Sequence, residues 1–327
     1  MSDSEDPRWA KDPLKEAADV QRLYDSDVPF FTKDRIREAY KSLQENKEPG
    51  KKAYTRDLDG KLKSYKIETG EVFPDPDDDS EWIGYPILYY VSIQHLLDQE
   101  WLGGNSPYSN LRIVHCLERR NEPAEEIDQQ IKHESLQRAI DTWRDSQSWE
   151  QLKKTLSGVS LAPVKKFVAF ALDSMRAFSD VPRDNRSLFQ HALLVALRDF
   201  LLESSTQEDD GIKCYAQDPA YTERDIAVLQ SCGVTVLPDP EGFLEVDEET
   251  AVISISPNVP VKQVVSELAR PALIVWNSIS GNGLEETPTT DPDSPRLQKW
   301  INEHYETLEF PHEPVLFGEL AVYVRRT

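Results

Sequence analysis

From Lys165 to Asn277 short apolar runs recur, and each stops at polar or turn-forming residues. Phe167-Val168-Ala169-Phe170-Ala171-Leu172 stops at Asp173-Ser174, and Ile212-Lys213-Cys214-Tyr215-Ala216 at Gln217-Asp218-Pro219. Val234-Thr235-Val236-Leu237 stops at Pro238-Asp239, Ala251-Val252-Ile253-Ser254-Ile255 at Pro257-Asn258, and Leu273-Ile274-Val275-Trp276 at Asn277. Runs of this length read as buried strands. Between them the period changes to that of a helix. Leu188, Phe189, Ala192, Leu193, Ala196, Leu197 and Phe200 share one face of a segment from Asn185 to Leu202. A second helix runs from Pro219, or from Thr222 at the Thr222-x-x-Asp225 box, to Cys232 and is ended by Gly233, and a third runs from Pro260 to Ala269. Strand–helix alternation with short connections predicts a parallel sheet built from right-handed crossovers: a Rossmann-like, three-layer α/β fold. The polar ends of the strands then line one sheet edge, where open α/β sheets hold their ligands. Gly242 to Val246 reads as a short extra strand or hairpin arm. A loop (280–295), a helix over Leu297 to Tyr305 and a closing strand, at Val315 to Phe317 or Leu320 to Val324, complete the domain.

The pattern before this segment is less regular and predicts an α+β extension. Residues 1–30 are polar and read as mobile, with Trp9 and Leu14 as anchors. Thr32 caps a helix beginning at Lys33, and Ala53 to Arg56 with Lys61 to Ile67 form a hairpin around Asp57-Leu58-Asp59-Gly60. The acidic run from Phe73 to Glu81 reads as an exposed loop, without the alternating ligands and central glycine of a calcium loop. Residues 86–101 read as an apolar helix ending at Gly103-Gly104, Leu111 to Leu117 as a strand, and Glu122 to Leu156 as helical, with Ser148 as a cap. Three parts result: 1–30 mobile, 31–145 the extension, and 146–327 the α/β domain.

Composition narrows the setting. The 327-residue chain is 39% hydrophobic, with seven Trp and twelve Tyr, which suits a folded chain with ample core. Its formal net charge of −22 repels a phosphate backbone and anionic membranes, so neither nucleic acid nor membrane is expected as a partner. Cys116, Cys214 and Cys232 have neither metal-ligand spacing nor an even count, and read as small apolar residues in a reducing compartment. The acidic N-terminus lacks the apolar stretch of a signal peptide, and no apolar run approaches the ~20 residues that cross a bilayer. The expected location is the cytosol or the nucleus.

The run from Cys214 through Gln217-Asp218-Pro219 to Asp225, with Gly233-Val234-Thr235-Val236-Leu237 after it, resembles the sensitivity-to-red-light-reduced (SRR-like) domain. The likeness continues through Asp239-Pro240-Glu241-Gly242-Phe243-Leu244-Glu245-Val246-Asp247 and Ser256-Pro257-Asn258-Val259-Pro260-Val261-Lys262-Gln263, the last in the form of the fungal branch. It spans about residues 145 to 280. The resemblance implies a regulatory protein, since family members are linked to light signalling and clock control in plants, cytoskeletal stability in yeast and haem-related regulation in animals. It transfers no shared reaction, and hence no catalytic residue. Where the family often carries a glycine-containing turn after the first strand, this chain has Ala171-Leu172-Asp173-Ser174-Met175. A carboxylate there opposes phosphate, and neither G-x-G-x-x-G nor G-x-x-x-x-G-K-[ST] occurs.

The candidate site is therefore the carboxyl edge of the sheet. Asp218 reads either as a helix cap, with Pro219 in the first turn, or as a ligand-binding group or general base. Asn258 lies in a rigid Pro257-Asn258-Val259-Pro260 loop that suits an orienting amide. Asp173 and Ser174 follow the first strand, and Ser174 lacks a nucleophile elbow. His191 lies near the start of the facing helix and reads as an acid–base group or a buried helix residue. Arg186 reads as an anion clamp or a partner of Asp173, Tyr221 as core or pocket wall, and Asn277 as a polar strand end. No residue set has zinc spacing, and no particular cofactor is indicated. Two main readings follow. One is a regulatory or ligand-sensing protein that binds a small molecule or protein partner at this edge. The other is a metal-independent enzyme using Asp173, His191 and Asp218. A weaker reading is a degenerate methyltransferase-like protein, in which an acidic residue holds a ribose.

Overall fold

A computed structural model describes residues 13–74, 81–98, 105–119, 127–204, 211–279 and 289–326. Contacts divide the chain into two units, Met1–Asn121 and Glu122–Thr327.

In the first unit, helix α1 (Pro13–Asp25) lies within the segment read as mobile and buries Val20 and Tyr24. Thr32 caps α2 (Lys33–Glu45) by accepting the Arg35 N–H, and Ile36, Ala39 and Leu43 form its buried stripe. Strands β1 (Lys52–Arg56) and β2 (Leu62–Lys66) form the expected hairpin, and Gly60 supplies the left-handed backbone (φ 82°) of its turn. Strands β3 (Val72–Pro74) and β4 (Glu81–Tyr90), short helix α3 (Ile93–Leu97) and strand β5 (Leu111–Arg119) follow, with antiparallel order β3-β4-β5. The apolar helix expected over residues 86–101 is replaced by the end of β4 and the five-residue α3. The run Pro86 to Tyr90 pairs residue by residue with Leu111 to His115, and this tertiary pairing overrides an ambiguous apolar pattern. The core of the acidic run (75–80) and Gly103-Gly104 lie outside the described residues.

The second unit opens with α4 (Gln129–Arg144) and α5 (Gln147–Ser157). The cap of α5 is Ser146, which accepts the Trp149 N–H; Ser148 instead hydrogen-bonds Glu313. The elements then alternate: β6 (Lys166–Phe170), α6 (Arg186–Ser204) after a 3₁₀ turn, β7 (Lys213–Gln217), α7 (Glu223–Ser231) and β8 (Thr235–Val236). Next come α8 (Glu241–Glu245), β9 (Thr250–Ser254), α9 (Val261–Leu268), β10 (Leu273–Asn277), α10 (Pro295–His304), β11 (Tyr305–Glu309), α11 (Pro314–Phe317) and β12 (Leu320–Arg325). The expected strand at Gly242 to Val246 is thus the helix α8. The Gly242 N–H donates to Gln217 Oε1 at 2.7 Å, and Phe243 stacks on Phe170 at 4.6 Å, so the turn packs against the sheet face instead of extending it. Of the two candidates for the closing strand, Leu320 to Val324 is the strand and Val315 to Phe317 is helical.

The seven strands run in the order β11-β12-β10-β9-β6-β7-β8. From β10 to β8 they are parallel; β12 is antiparallel to β10, and β11 to β12. Numbered from β6 as first, the parallel part reads 3-2-1-4-5, the doubly wound order, with its switch point between β6 and β9. One face packs Phe167, Ala169, Ala251, Ile253 and Val275 against α4 to α7. The other buries Phe170, Val252 and Trp276 beneath α8, α9 and α10, with Trp300 6.4 Å from Trp276. The expected three-layer, mostly parallel α/β fold is present.

Candidate functional site

The loop that leaves β6 shapes the carboxyl edge. Ala171 (φ 58°) and Asp173 (φ 63°) adopt the left-handed region, which side-chain-bearing residues occupy at a cost of about 1–2 kcal/mol each. Neighbouring acceptors hold them there. The Ala171 N–H donates to the Gln217 carbonyl at 3.2 Å. The Asp173 N–H donates to Asp218 Oδ2 at 2.7 Å, and Asp218 Oδ1 takes the Ala220 N–H at 2.8 Å. Asp218 is therefore a brace between β7 and the β6 loop, while the cap of α7 is Thr222 with Asp225, as the box predicts. Burial pushes the Asp218 carboxyl above its usual range, the two backbone bonds oppose this, and the charges of Asp173 and Asp225 add to it.

The rest of the loop is bound to carboxylates and hydroxyls. The Ser174 N–H donates to Asp173 Oδ1 (2.7 Å), the Met175 N–H to Asp225 Oδ1 (3.1 Å) and the Phe178 N–H to Ser135 Oγ (3.0 Å). Ser174 Oγ donates to Asp225 Oδ2 at 2.7 Å and accepts from Lys132 Nζ at 3.2 Å. Lys132 and Asp225 form an ion pair at 2.7 Å whose side chains are 4% and 0% exposed. Burial raises the Asp225 carboxyl, but hydrogen bonds from Lys132, Ser174 and Thr222 outweigh it and hold the group below its usual range. A phosphate cradle offers unpaired N–H groups. Here those of residues 171, 173, 174, 175 and 178 are already taken, and three of the five go to carboxylate oxygens.

His191 lies on α6 with no exposed surface. Its Nδ1 lies 2.6 Å from the Ser187 carbonyl, which only accepts, so Nδ1 carries the proton and Nε2 accepts from the Tyr221 hydroxyl at 2.8 Å. Burial holds the imidazole down to about 4, and it stays neutral at physiological pH. Both ring nitrogens are satisfied, which matches a buried helix residue more closely than an acid–base group. Arg186 donates from Nε to the Val315 carbonyl at 2.7 Å and, among the described residues, forms no ion pair with Asp173.

Across the switch point, Ser256 (φ 49°) repeats the left-handed backbone after β9. Its N–H donates to Asn277 Oδ1 at 2.6 Å, which makes Asn277 the counterpart of Asp218. Asn258 is exposed. Residues 290–293 lace this loop to α9: Thr290 Oγ1 donates to the Pro257 carbonyl (2.6 Å), the Lys262 N–H to Asp291 (2.9 Å) and Lys262 Nζ to Asp293 (2.7 Å).

The structure thus gathers Asp173, Ser174 and Asp218 beside β6, pairs His191 with Tyr221 close to them, and places Asn258 and Asn277 beyond the switch point. Sequence reading missed Lys132, the second role of Asp225 and the strain at Ser256. Lys132 had a signal: it shares the helical face of Leu136, Ala139, Ile140 and Trp143, where an unpaired lysine is out of place. Among the described residues, no group of three or more His, Cys, Asp or Glu is placed to hold a metal ion, and no helix is long and apolar enough to cross a membrane.

Two solved structures similar to this chain are methyltransferase complexes. One is the Haloferax volcanii Trm112 methyltransferase activator bound to a protein taken to be a methyltransferase. It shows 12% identity over 62% of this chain and 100% of that chain, with a TM-score of 0.30. The other is Haemonchus contortus phosphoethanolamine N-methyltransferase 1 with phosphoethanolamine and S-adenosylhomocysteine, at 11% identity over 62% of this chain and 51% of that chain, with a TM-score of 0.27. A comparison with curated proteins finds no match. The sequence model of the SRR1 domain covers residues 150–323, more than half of the chain and all seven strands of the sheet but the end of the last. The chain belongs to the SRR1 domain family.

Proposed function

We propose that this is a binding protein of regulatory type, which holds a small molecule or a polar segment of a protein partner at the carboxyl edge of the sheet, around the β6–β9 switch point. One observation carries the reading: Ala171, Asp173 and Ser256, all non-glycine, are left-handed on the two sides of that point, with Asp218 and Asn277 as dedicated braces. Strain of this kind persists where the surroundings over-determine it, and it gathers at functional sites. A preformed edge also lowers the ordering cost of binding. Asp173, Asp218 and Asp225 lie close enough to act on one another, and Lys132 is spent on Asp225, so the edge suits neutral or cationic ligands better than phosphates.

A second reading, a metal-independent enzyme at the same edge, is favoured by the raised pKa of Asp218. It is weakened by the sealing of His191. In a methyltransferase-like reading Asp218 would hold a ribose, but both of its oxygens already accept backbone N–H groups. The test is a thermal-shift screen against metabolites, haem and nucleotides with wild type, Asp218→Ala and Asn258→Ala. A ligand that raises the melting temperature of wild type but not of the variants supports the edge. Variants that respond to every hit as wild type does would sink it.

A further inference from the structure

The unit Met1–Asn121 contains a buried arginine that forms no ion pair among the described residues. Arg112 lies on β5 opposite Tyr89 of β4 and is 6% exposed. Its Nε donates to the Ser109 carbonyl at 2.9 Å, but Nη2 is sealed from solvent and has no hydrogen-bond partner. Among the described residues no carboxylate forms an ion pair with it. Arginine keeps its proton in proteins, so a sealed guanidinium calls for negative charge or for acceptors.

The same unit holds two more sealed, unpartnered groups: Thr55 Oγ1, on a residue 1% exposed, and the Tyr65 hydroxyl. The hairpin register sets Tyr65 opposite Ala53 and Lys63 opposite Thr55, so Thr55, Lys63 and Tyr65 share one face. The groups converge. Burial pushes the Tyr65 phenol up, and Thr55, Asp57, Arg112 and Ser109 all act on it. Burial holds Arg112 below its usual range, against the influence of Tyr65, Tyr89 and Asp57. Ser109 links the groups: its carbonyl takes Arg112 Nε, and its hydroxyl accepts from Lys63, which shares the hairpin face of Thr55 and Tyr65. Asp57 acts on Arg112 from a distance but forms no ion pair with it, and its carboxylate takes the Ser109 hydroxyl at 2.9 Å. What is missing is a common acceptor for three donors.

Lys63, Tyr65 and Tyr89 are half-buried and give the cluster a solvent-facing rim. Lys63 Nζ donates to Ser109 Oγ at 3.2 Å, which adds a second cation at the mouth. Beyond Arg112, the same face of β4 and β5 carries Ile87, paired with Val114, and Tyr85, paired with Cys116; Ile87 and Tyr85 are 37% and 39% exposed. We propose that this unit binds a small molecule through an oxyanion group, carboxylate or phosphate, held by Arg112, Thr55 and Tyr65, with an apolar portion lying along Ile87 and Tyr85.

Titration calorimetry on the full chain tests this with phosphate, acetate and octanoate, each against chloride at equal ionic strength. Saturable binding of at least one anion is expected. Phosphate alone assigns a phosphoryl group, and octanoate stronger than acetate assigns the apolar strip. Tyr65→Phe and Thr55→Val should each weaken binding about tenfold or more, the worth of a hydrogen bond to a charged group. Because these hydroxyls bond nothing in the free protein, both variants should melt at or above the wild-type temperature without anion, which a purely structural role would not allow. Arg112→Met should abolish binding. No saturable binding by any probe, or wild-type affinity in both hydroxyl variants, overturns the proposal.

Discussion

Replacing Lys132 by methionine removes the cation bonded to Asp225 and leaves the shape of the site nearly unchanged. Both side chains are almost fully buried, so water cannot take the place of the lysine. Breaking a buried pair by removing one partner costs roughly 3–5 kcal/mol, because a charge is left uncompensated. Asp225 keeps four other donors: the Ser174 hydroxyl, the Met175 N–H, and the Thr222 N–H and hydroxyl. The expected cost is therefore at the low end, about 3 kcal/mol at pH 7. Urea denaturation followed by circular dichroism measures it, and hydrogen exchange across residues 171–178 should rise, since Asp225 anchors that loop. A cycle with Asp225→Asn should give a coupling of about 2 kcal/mol. The pH dependence has a definite sign. In wild type the folded pKa of Asp225 lies below the ordinary aspartate value of 3.8, so its stabilisation is present above that pH and is lost as pH falls through the folded pKa. Without Lys132, burial dominates and moves the folded pKa upward. Protonation then favours the folded state, and the deficit of the variant should shrink as pH falls from 7 towards 4. A cost below ~1 kcal/mol with no coupling would show that desolvation cancels the attraction, and the network would lose its role as the lock on the β6 loop.

The depressed pKa of His191 adds a second loss of stability on acidification, from a buried imidazole kept neutral. The folded value is about 4 against 6.5 for the free group, so the unfolded chain binds the extra proton first as pH falls. Stability should drop between pH 6.5 and 5 by about 2 kcal/mol, and His191→Gln should remove that part of the slope; a wild-type stability flat over this range refutes the assignment. Gly242→Ala would set a Cβ 2.6 Å from Gln217 Oε1 and 3.1 Å from Phe170 Cε1, where the neighbours are pinned by the Gln217 bridge to Asp239 and the Phe243 stack. A loss of about 1–3 kcal/mol is expected in a urea melt, and a neutral result means the Gln217 side chain can swing away.

The three central parallel strands, β6, β9 and β10, were legible because each is an apolar run buried on both faces, and β7 and β8 because helical periods flank their shorter apolar runs. Thr222 with Asp225 and the cap at Thr32 were legible for a similar reason, since capping is local chemistry. Misreadings fell where a distant partner decides. The run at Pro86 to Tyr90 is a strand because β5 lies beside it, and Glu241–Glu245 is a helix because Gln217 holds the Gly242 N–H. Strand β11 went unnoticed because Tyr305–Glu309 alternates weakly and depends on pairing with β12.

The site divides along the same line. Polar strand ends were readable, but their roles depended on groups far away in sequence. Asp218 looked like a cap and proved to be the acceptor for Asp173, 45 positions earlier. Asp225 looked only like half of a capping box, yet it also neutralises a lysine 93 positions earlier. A carboxylate that satisfies a helix start, a buried ammonium and a strained loop at once cannot be spared for a ligand. The groups left to meet one are therefore those that the network positions without consuming: exposed Asp173 and Asn258, and the backbone around Ser256. With Asp218, Asp225 and Lys132 committed to the network, a rigid edge of this kind would select a ligand by shape and neutral hydrogen bonding more than by ion pairing, which favours the proposed recognition role over proton transfer.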